Sequence, residues 1–158
     1  MNPPVRSLVI AFVMASALIT FCPAADKPGE KDARQEIANI IKESTAKLNR
    51  LDIEGGLKHI HPTAYTEYAH IPQKSLVGID KKFLIGICKA IFPSLKLKIG
   101  PPMDLKVHVK GDAAYATYRS QEQLGDGPPM MVRRTEIFVR EKGAWHLTHS
   151  HRSILTGE

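Results

Sequence analysis

Two histidines, His149 and His151, stand two residues apart in the run Gly143-Ala144-Trp145-His146-Leu147-Thr148-His149-Ser150-His151-Arg152-Ser153. Residues two apart on a strand share a face, so the two imidazoles point the same way. Such a pair begins a metal site, which still needs a third ligand from Glu, Asp or another His. No second ligand motif accompanies it, and His59-x-His61 sits near a helix end. The pair is therefore read as hydrogen-bonded sheet histidines that fix strand geometry or an interface, and no metal or cofactor is expected. Tyr65, Tyr68, Tyr115, Tyr118, Glu67 and Asp80 have side chains suited to proton transfer. Tyr115 and Tyr118 have opposite parity on one strand, so at most one faces a common site. Asp80 stands where a helix needs its N-cap. No Ser-His-Asp or Cys-His arrangement emerges, so no catalytic residue is assigned. Cys88, between Ile87 and Ile91, reads as packing on a helix face.

These residues need elements to hold them. Asp32 begins a helix, with Gln35 three residues on in the manner of a capping box. Ala33, Ile37, Ile40, Ile41, Ser44, Leu48 and Leu51 then make one apolar stripe. A short second helix is predicted over Asp52 to Ile60, weakened by Gly55-Gly56 and stopped by Pro62. Thr63 to Ala69 reads as a strand. Gly78-Ile79-Asp80 opens a third helix with Leu84, Ile87, Cys88 and Ile91 as its buried face and Pro93 as its end. The period then changes to two: Leu95, Leu97 and Ile99 alternate with lysines, as do Leu105, Val107 and Val109. Strands follow over Ala113–Gln123, Met130–Arg140 and Ala144–Ser153, separated by Gly111-Asp112, Gly125-Asp126-Gly127-Pro128 and Lys142-Gly143. Helices first and a strand meander later predict α+β architecture, with the helices packed on one side of a curved antiparallel sheet.

The last hairpin presents two faces. With a three-residue loop, Trp145, Leu147, Ile137 and Val139 share the face of His149 and His151, while Arg134, Glu136, Phe138, Thr148, Ser150 and Arg152 form the other, a polar stripe. Alternation does not say which face is concave.

The chain has 158 residues, 43% hydrophobic and 24% charged, with a net charge of +6. Its basic residues are scattered without a run of five, which argues against a nucleic-acid binder. Residues 1–25 read as a signal peptide: Arg6 supplies the positive region, Leu8 to Phe21 the apolar core, and Ala24 or Ala25 the cut. Fourteen apolar residues are too few to span a bilayer, so no stable membrane insertion is expected after cleavage. The protein is expected to be exported, periplasmic or secreted, with residues 26–31 as a linker and 32–155 as one domain. Cys22 leaves with the signal, so Cys88 is the single thiol and no internal disulfide forms.

The ending Gly143-Ala144-Trp145 followed by His149-Ser150-His151-Arg152-Ser153 resembles that of SnoaL-like proteins of the nuclear transport factor 2-like superfamily. It most resembles the association (hub) domain of calcium/calmodulin-dependent protein kinase II. Thr63-Ala64-Tyr65, Leu76-Val77-Gly78-Ile79-Asp80 and Gly111-Asp112 fall in the order that domain has, so the resemblance runs from Ala33 to Ser153. It implies a cone-shaped fold with a pocket between helices and sheet, and a homo-oligomer, at least a dimer, assembled through the sheet. It also implies a pocket in which arginines hold a carboxylate. Arg119 and Arg152 match those positions, and Glu136 stands where a third arginine would, placed to neutralise Arg152. Tyr65, His149 and His151 complete the expected ligand-binding set. The leading expectation is an exported, non-catalytic, oligomerising domain that holds a small anionic molecule. The alternatives are a small isomerase, dehydratase or cyclase of the ketosteroid isomerase-like type, and an assembly module whose pocket is vestigial. No kinase region is present, so kinase activity is not implied.

Overall fold

The computed structural model describes residues 29–69, 77–78 and 80–155. The expected signal peptide and the linker before Gly29 lie outside the described residues. Helix α1 spans Glu30–Asn49, two residues earlier than its sequence signal, with Gly29 as N-cap and no side-chain cap. Ala33, Ile37, Ile40 and Ile41 are its buried stripe, as the spacing predicts. The stripe stops short of Leu51, which is 52% exposed and has a positive φ. Helix α2 is a single turn, Ile53–Gly56, capped by the Asp52 carboxylate accepting from Gly55 N at 3.0 Å. A Cβ on Gly56 would stand 2.6 Å from the Leu48 side chain, so a glycine here lets α2 lie directly on α1.

Strands β1 (Thr66–Ala69) and β2 (Val77–Gly78) pair with each other before α3, Lys81–Leu95. Asp80 caps α3, accepting from the backbone N–H groups of Lys82 and Phe83 at 2.9 and 3.2 Å. Two expectations for α3 are corrected. The helix runs through Pro93, which sits in the last turn, and ends only at Lys96 in the left-handed conformation. Leu95 is thus helical rather than part of a strand. Leu84 and Cys88 are buried, but Ile87 and Ile91 face outward.

The remaining strands are β3 (Lys98–Ile99), β4 (Met103–Lys110), β5 (Ala113–Gln123), β6 (Met130–Glu141) and β7 (Ala144–Ile154). The sheet order is β2-β1-β7-β6-β5-β3, with β4 also pairing β5. All pairs are antiparallel except β1 with β7, which brings Glu67 beside Ser150 and Tyr68 beside His151. The final hairpin has a two-residue loop, Lys142 and Gly143, both at positive φ, as a tight type I′ turn requires. A bulge follows: Ile137 pairs with His149 but Phe138 pairs with Leu147, leaving Thr148 as the extra residue. It bends the strand and switches its parity. Trp145 and Leu147 therefore lie on the face of Phe138 and Ser150, the reverse of the three-residue-loop expectation. Trp145 and Phe138, each 1% exposed, pack against Ile37, Ile40 and Ile41 of α1.

One face of the sheet is thus covered by α1, and a second apolar cluster (Ile53, Leu57, Ile60, Tyr65, Leu84, Cys88) joins α2 to α3. Between the two clusters a space remains.

Candidate functional site

The space is a cavity of about 150 Å³ between the helices and the inner face of the sheet. Its helix side is mostly apolar, with Ile40, Ile41, Leu48, Leu57, Leu84 and Phe92 among its walls beside Ser44, Thr45 and His59. Asn49, at the end of α1, closes one edge by clamping β3: its amide donates to Ile99 O at 2.7 Å and accepts from Ile99 N at 2.8 Å. Near the opposite edge His61 N donates to Leu147 O and Leu147 N donates to His59 O, which ties the end of the α2 segment to β7 at the bulge.

The sheet side is polar, and alternation explains how. Tyr118, Arg134 and Arg152 lie across β5, β6 and β7, since Tyr118 pairs with Arg134 and Arg134 with Arg152. In the next rank Glu136, Ser150 and Glu67 lie across β6, β7 and β1. Behind them Glu122 is fully buried. Its Oε1 accepts from Arg134 Nε at 3.1 Å, from Arg134 Nη2 at 2.6 Å and from Ser120 Oγ at 3.3 Å. Its Oε2 stands 2.9 Å from Arg152 Nη2 as an ion pair that lacks hydrogen-bond alignment. Two guanidinium groups therefore share one carboxylate. Burial opposes the charge on Arg134, but Tyr118, Glu122 and Glu136 outweigh it and hold the group above its ordinary pKa. Burial pulls the pKa of Arg152 down, partly offset by Glu122.

Glu136 is set differently. Burial raises its carboxyl pKa above the ordinary value, against the opposing pull of Arg134 and of the Tyr118 hydroxyl, which donates to Glu136 Oε1 at 2.9 Å. Glu67 pushes the same way as burial. Tyr118 is itself raised by burial and then by Glu136, so it remains a neutral donor. Tyr65, raised by burial and by Glu67, likewise donates to Glu67 Oε2 at 3.2 Å. The site thus holds two phenols that donate to the oxygens of Glu136 and Glu67, beside an arginine pair paired to the single carboxylate of Glu122.

Of the residues expected from sequence, Tyr65, Glu136 and Arg152 meet in this cavity. Arg119, His149 and His151 do not. Arg119 has the parity opposite to Tyr118 and reaches across the outer face to Asp104, with Nε donating at 3.0 Å. His149 and His151 are on that outer face because of the bulge at Thr148. His149 Nδ1 lies 2.9 Å from Thr66 Oγ1, and the His151 ring meets Tyr68 edge to face at 5.3 Å. His149 is thus a hydrogen-bonded sheet histidine, while His151 makes a ring contact instead. Glu136 does not neutralise Arg152; Glu122 does. Glu122 and Arg134 form the centre of the site; the polar stripe expected from sequence placed Arg134 with Glu136 and Arg152 but did not include Glu122. Their even parity with Tyr118 and Glu136 was legible, but the face they share was not. Among the described residues no group of three His, Cys, Asp or Glu side chains is placed to hold a metal ion. Cys88 borders the cavity with its thiol pKa pushed up to about 11 by burial and by Glu67.

A family model for the SnoaL-like domain matches residues 63–157, more than half of the chain. No functionally curated protein matches it. Solved structures with the same fold include a nuclear transport factor 2-like protein of unknown function from Pseudomonas putida KT2440. It has 21% identity and a TM-score of 0.68 over 78% of this chain and 87% of that one. The association domain of calcium/calmodulin-dependent protein kinase II from C. elegans has 19% identity and a TM-score of 0.64, covering 80% of this chain and 99% of that one. A protein proposed to be a ketosteroid isomerase, from Shewanella frigidimarina, has 18% identity and a TM-score of 0.60, covering 73% and 92%. At these identities the structures speak for the fold, an open curved sheet with helices on one side. With the family match, they establish that the chain belongs to the SnoaL-like domain family of the nuclear transport factor 2-like superfamily.

Proposed function

We propose that this is an exported, non-catalytic, self-associating domain that holds a small carboxylate-bearing molecule with an apolar body. The observation that carries this reading is the pairing of Arg134 and Arg152 on the single buried carboxylate of Glu122. That trio has a net charge of +1, partly offset by Glu67 in the next rank, in a low-dielectric wall where an incoming anion gains from a fixed positive group. Guanidinium groups suit carboxylates geometrically. The apolar helix walls and the volume fit a body of about benzene size, since an apolar cavity near 150 Å³ binds benzene. Isothermal titration with benzoate and with neutral benzamide tests the proposal. Benzoate should bind more tightly, and Arg152→Met should remove the difference. Equal affinities would discard the carboxylate.

Self-association rests on the outer face of the sheet. Tyr115 and Ile137 are 46% and 40% exposed there, and His108 stacks on Tyr115 with centroids 4.7 Å apart. A kinase association domain shares the fold. Light scattering on the purified protein should give at least a dimer, weakened by Ile137→Lys. Export rests on the signal-like pattern of residues 1–25 and is checked by the intact mass of the secreted chain.

One observation favours a second reading. A buried carboxyl with a raised pKa beside a neutral tyrosine is the equipment of a proton-transfer enzyme such as an isomerase or dehydratase. Incubating small cyclic ketones in D2O would decide it. Deuterium uptake that is lost in Glu136→Gln supports catalysis, and no uptake leaves the binding reading alone.

A further inference from the structure

Helix α3 is apolar on two sides. Leu84 and Cys88 are buried against the α2 segment. The outer side carries Phe83, Ile87, Ile91 and Leu95 at successive spacings of four, with exposures of 63%, 37%, 42% and 37%. Gly86 and Ala90 between them are also exposed, and a Cβ on Gly86 would meet nothing within 4 Å. On a helix that rests on a globular core, this outer strip is where polar residues normally stand. A contiguous exposed apolar strip marks an interaction surface.

Charge selects its occupant. The helix contains no Asp or Glu, and its charged residues are Lys81, Lys82 and Lys89. Lys81 and Lys82 occupy the first turn, where the positive end of the helix dipole disfavours cations; Lys81 Nζ donates to Lys58 O at 2.6 Å, and helix stability does not account for Lys82. Lys96 and Lys98 follow at the other end. Lys89 meets Glu54, and Lys96 lies 3.9 Å from Asp126, but both pairs are exposed and bind their lysines weakly. A second copy docked through the same strip would bring lysine flanks against lysine flanks, with no acid in either helix. An anionic lipid surface meets both requirements: headgroups attract the lysines and the acyl boundary takes the apolar ridge.

We infer that α3 docks the domain on a bilayer surface that contains anionic lipid, with Phe83, Ile87, Ile91 and Leu95 lying in the interface. The helix lies on the bilayer and does not cross it. Among the described residues no helix is long and apolar enough to cross a membrane.

Phe83→Trp in the full chain supplies a reporter on the strip itself, at a position open enough to accept it. Trp145, 1% exposed in the core, contributes a constant background. Vesicles of phosphatidylcholine with phosphatidylglycerol should blue-shift the emission of the reporter, and brominated lipid should quench it. Vesicles of phosphatidylcholine alone should do so far less. Lys82→Glu should weaken the response by about tenfold or more, since each basic residue near an anionic surface is worth about 1 kcal/mol. Ile87→Ser with Ile91→Ser should abolish it while the circular dichroism spectrum is retained. Three results would each overturn the inference. One is no shift with anionic vesicles, the outcome if the strip takes an acidic protein. The second is vesicle binding with the reporter still in water, the outcome if the apolar stretch before residue 25 inserts instead. The third is a concentration-dependent shift without vesicles, which assigns the strip to a second copy.

Discussion

The buried trio of Glu122, Arg134 and Arg152 yields a sharp thermodynamic expectation. In Glu122→Leu both guanidinium groups remain buried, at 17% and 13% side-chain exposure, with their shared counter-charge gone. Removing one partner from a buried ionic group costs about 3–5 kcal/mol, because the charge left behind is unpaired in low dielectric. Against a total stability of about 5–15 kcal/mol, that leaves a folded but weakened protein. With a urea slope of about 1–3 kcal/mol per molar, the unfolding midpoint should fall by roughly 2 M. The same reasoning makes a second, opposite demand. Glu122→Leu combined with Arg134→Met and Arg152→Met removes every desolvated charge of the trio, and well-packed apolar replacements of such groups are commonly neutral or stabilising. The triple variant should therefore recover most of the loss while losing the preference for benzoate over benzamide. The assay is urea unfolding followed by Trp145 fluorescence, with circular dichroism as the second probe. A single-variant loss below about 1 kcal/mol would show that water reaches the trio freely. A triple variant as weak as the single one would show that packing of Glu122, not its charge, matters.

Two further expectations concern other groups. Burial raises the folded-state pKa of Glu136 above its ordinary 4.5, so between 4.5 and the raised value the folded chain keeps a proton that the unfolded chain releases. The contribution of this group to stability is full below 4.5 and falls as pH rises through the raised value. Glu136→Gln should accordingly gain on the parent as pH goes from 4 to 8 in paired urea titrations, and a difference flat with pH would contradict the raised pKa. Asp80→Ala removes two cap hydrogen bonds at the start of α3 and should cost about 1 kcal/mol, with Asp80→Asn recovering most of it. Equal stability of all three proteins would mean that water caps the helix as well as the side chain does.

Local chemistry accounts for what could be read from the residues alone. Asp80 as a cap, the α1 stripe of Ala33, Ile37, Ile40 and Ile41, and the strands β5 to β7 all depend on near neighbours and on periods of 3.6 or 2. The α+β order followed from the change of period after α3. The SnoaL-like resemblance rested on a short ending that reads along one strand. The site depended on longer-range events. One extra residue at Thr148 reversed the parity of β7, which turned Trp145 inward and His149 and His151 outward. The parallel pairing of β1 with β7 brought Glu67 and Tyr65 beside Ser150, across more than eighty residues of chain. Parity alone could group Tyr118, Glu122, Arg134 and Glu136, but only the packing of α1 on that face decided that they, and not Arg119, would be buried. Helix α3 shows the same limit from the other side. Its composition marked Leu84, Ile87, Cys88 and Ile91 equally as core, and the tertiary structure had room to cover only Leu84 and Cys88. Periodicity says which residues share a face; which face loses its water depends on what the rest of the chain lays against it.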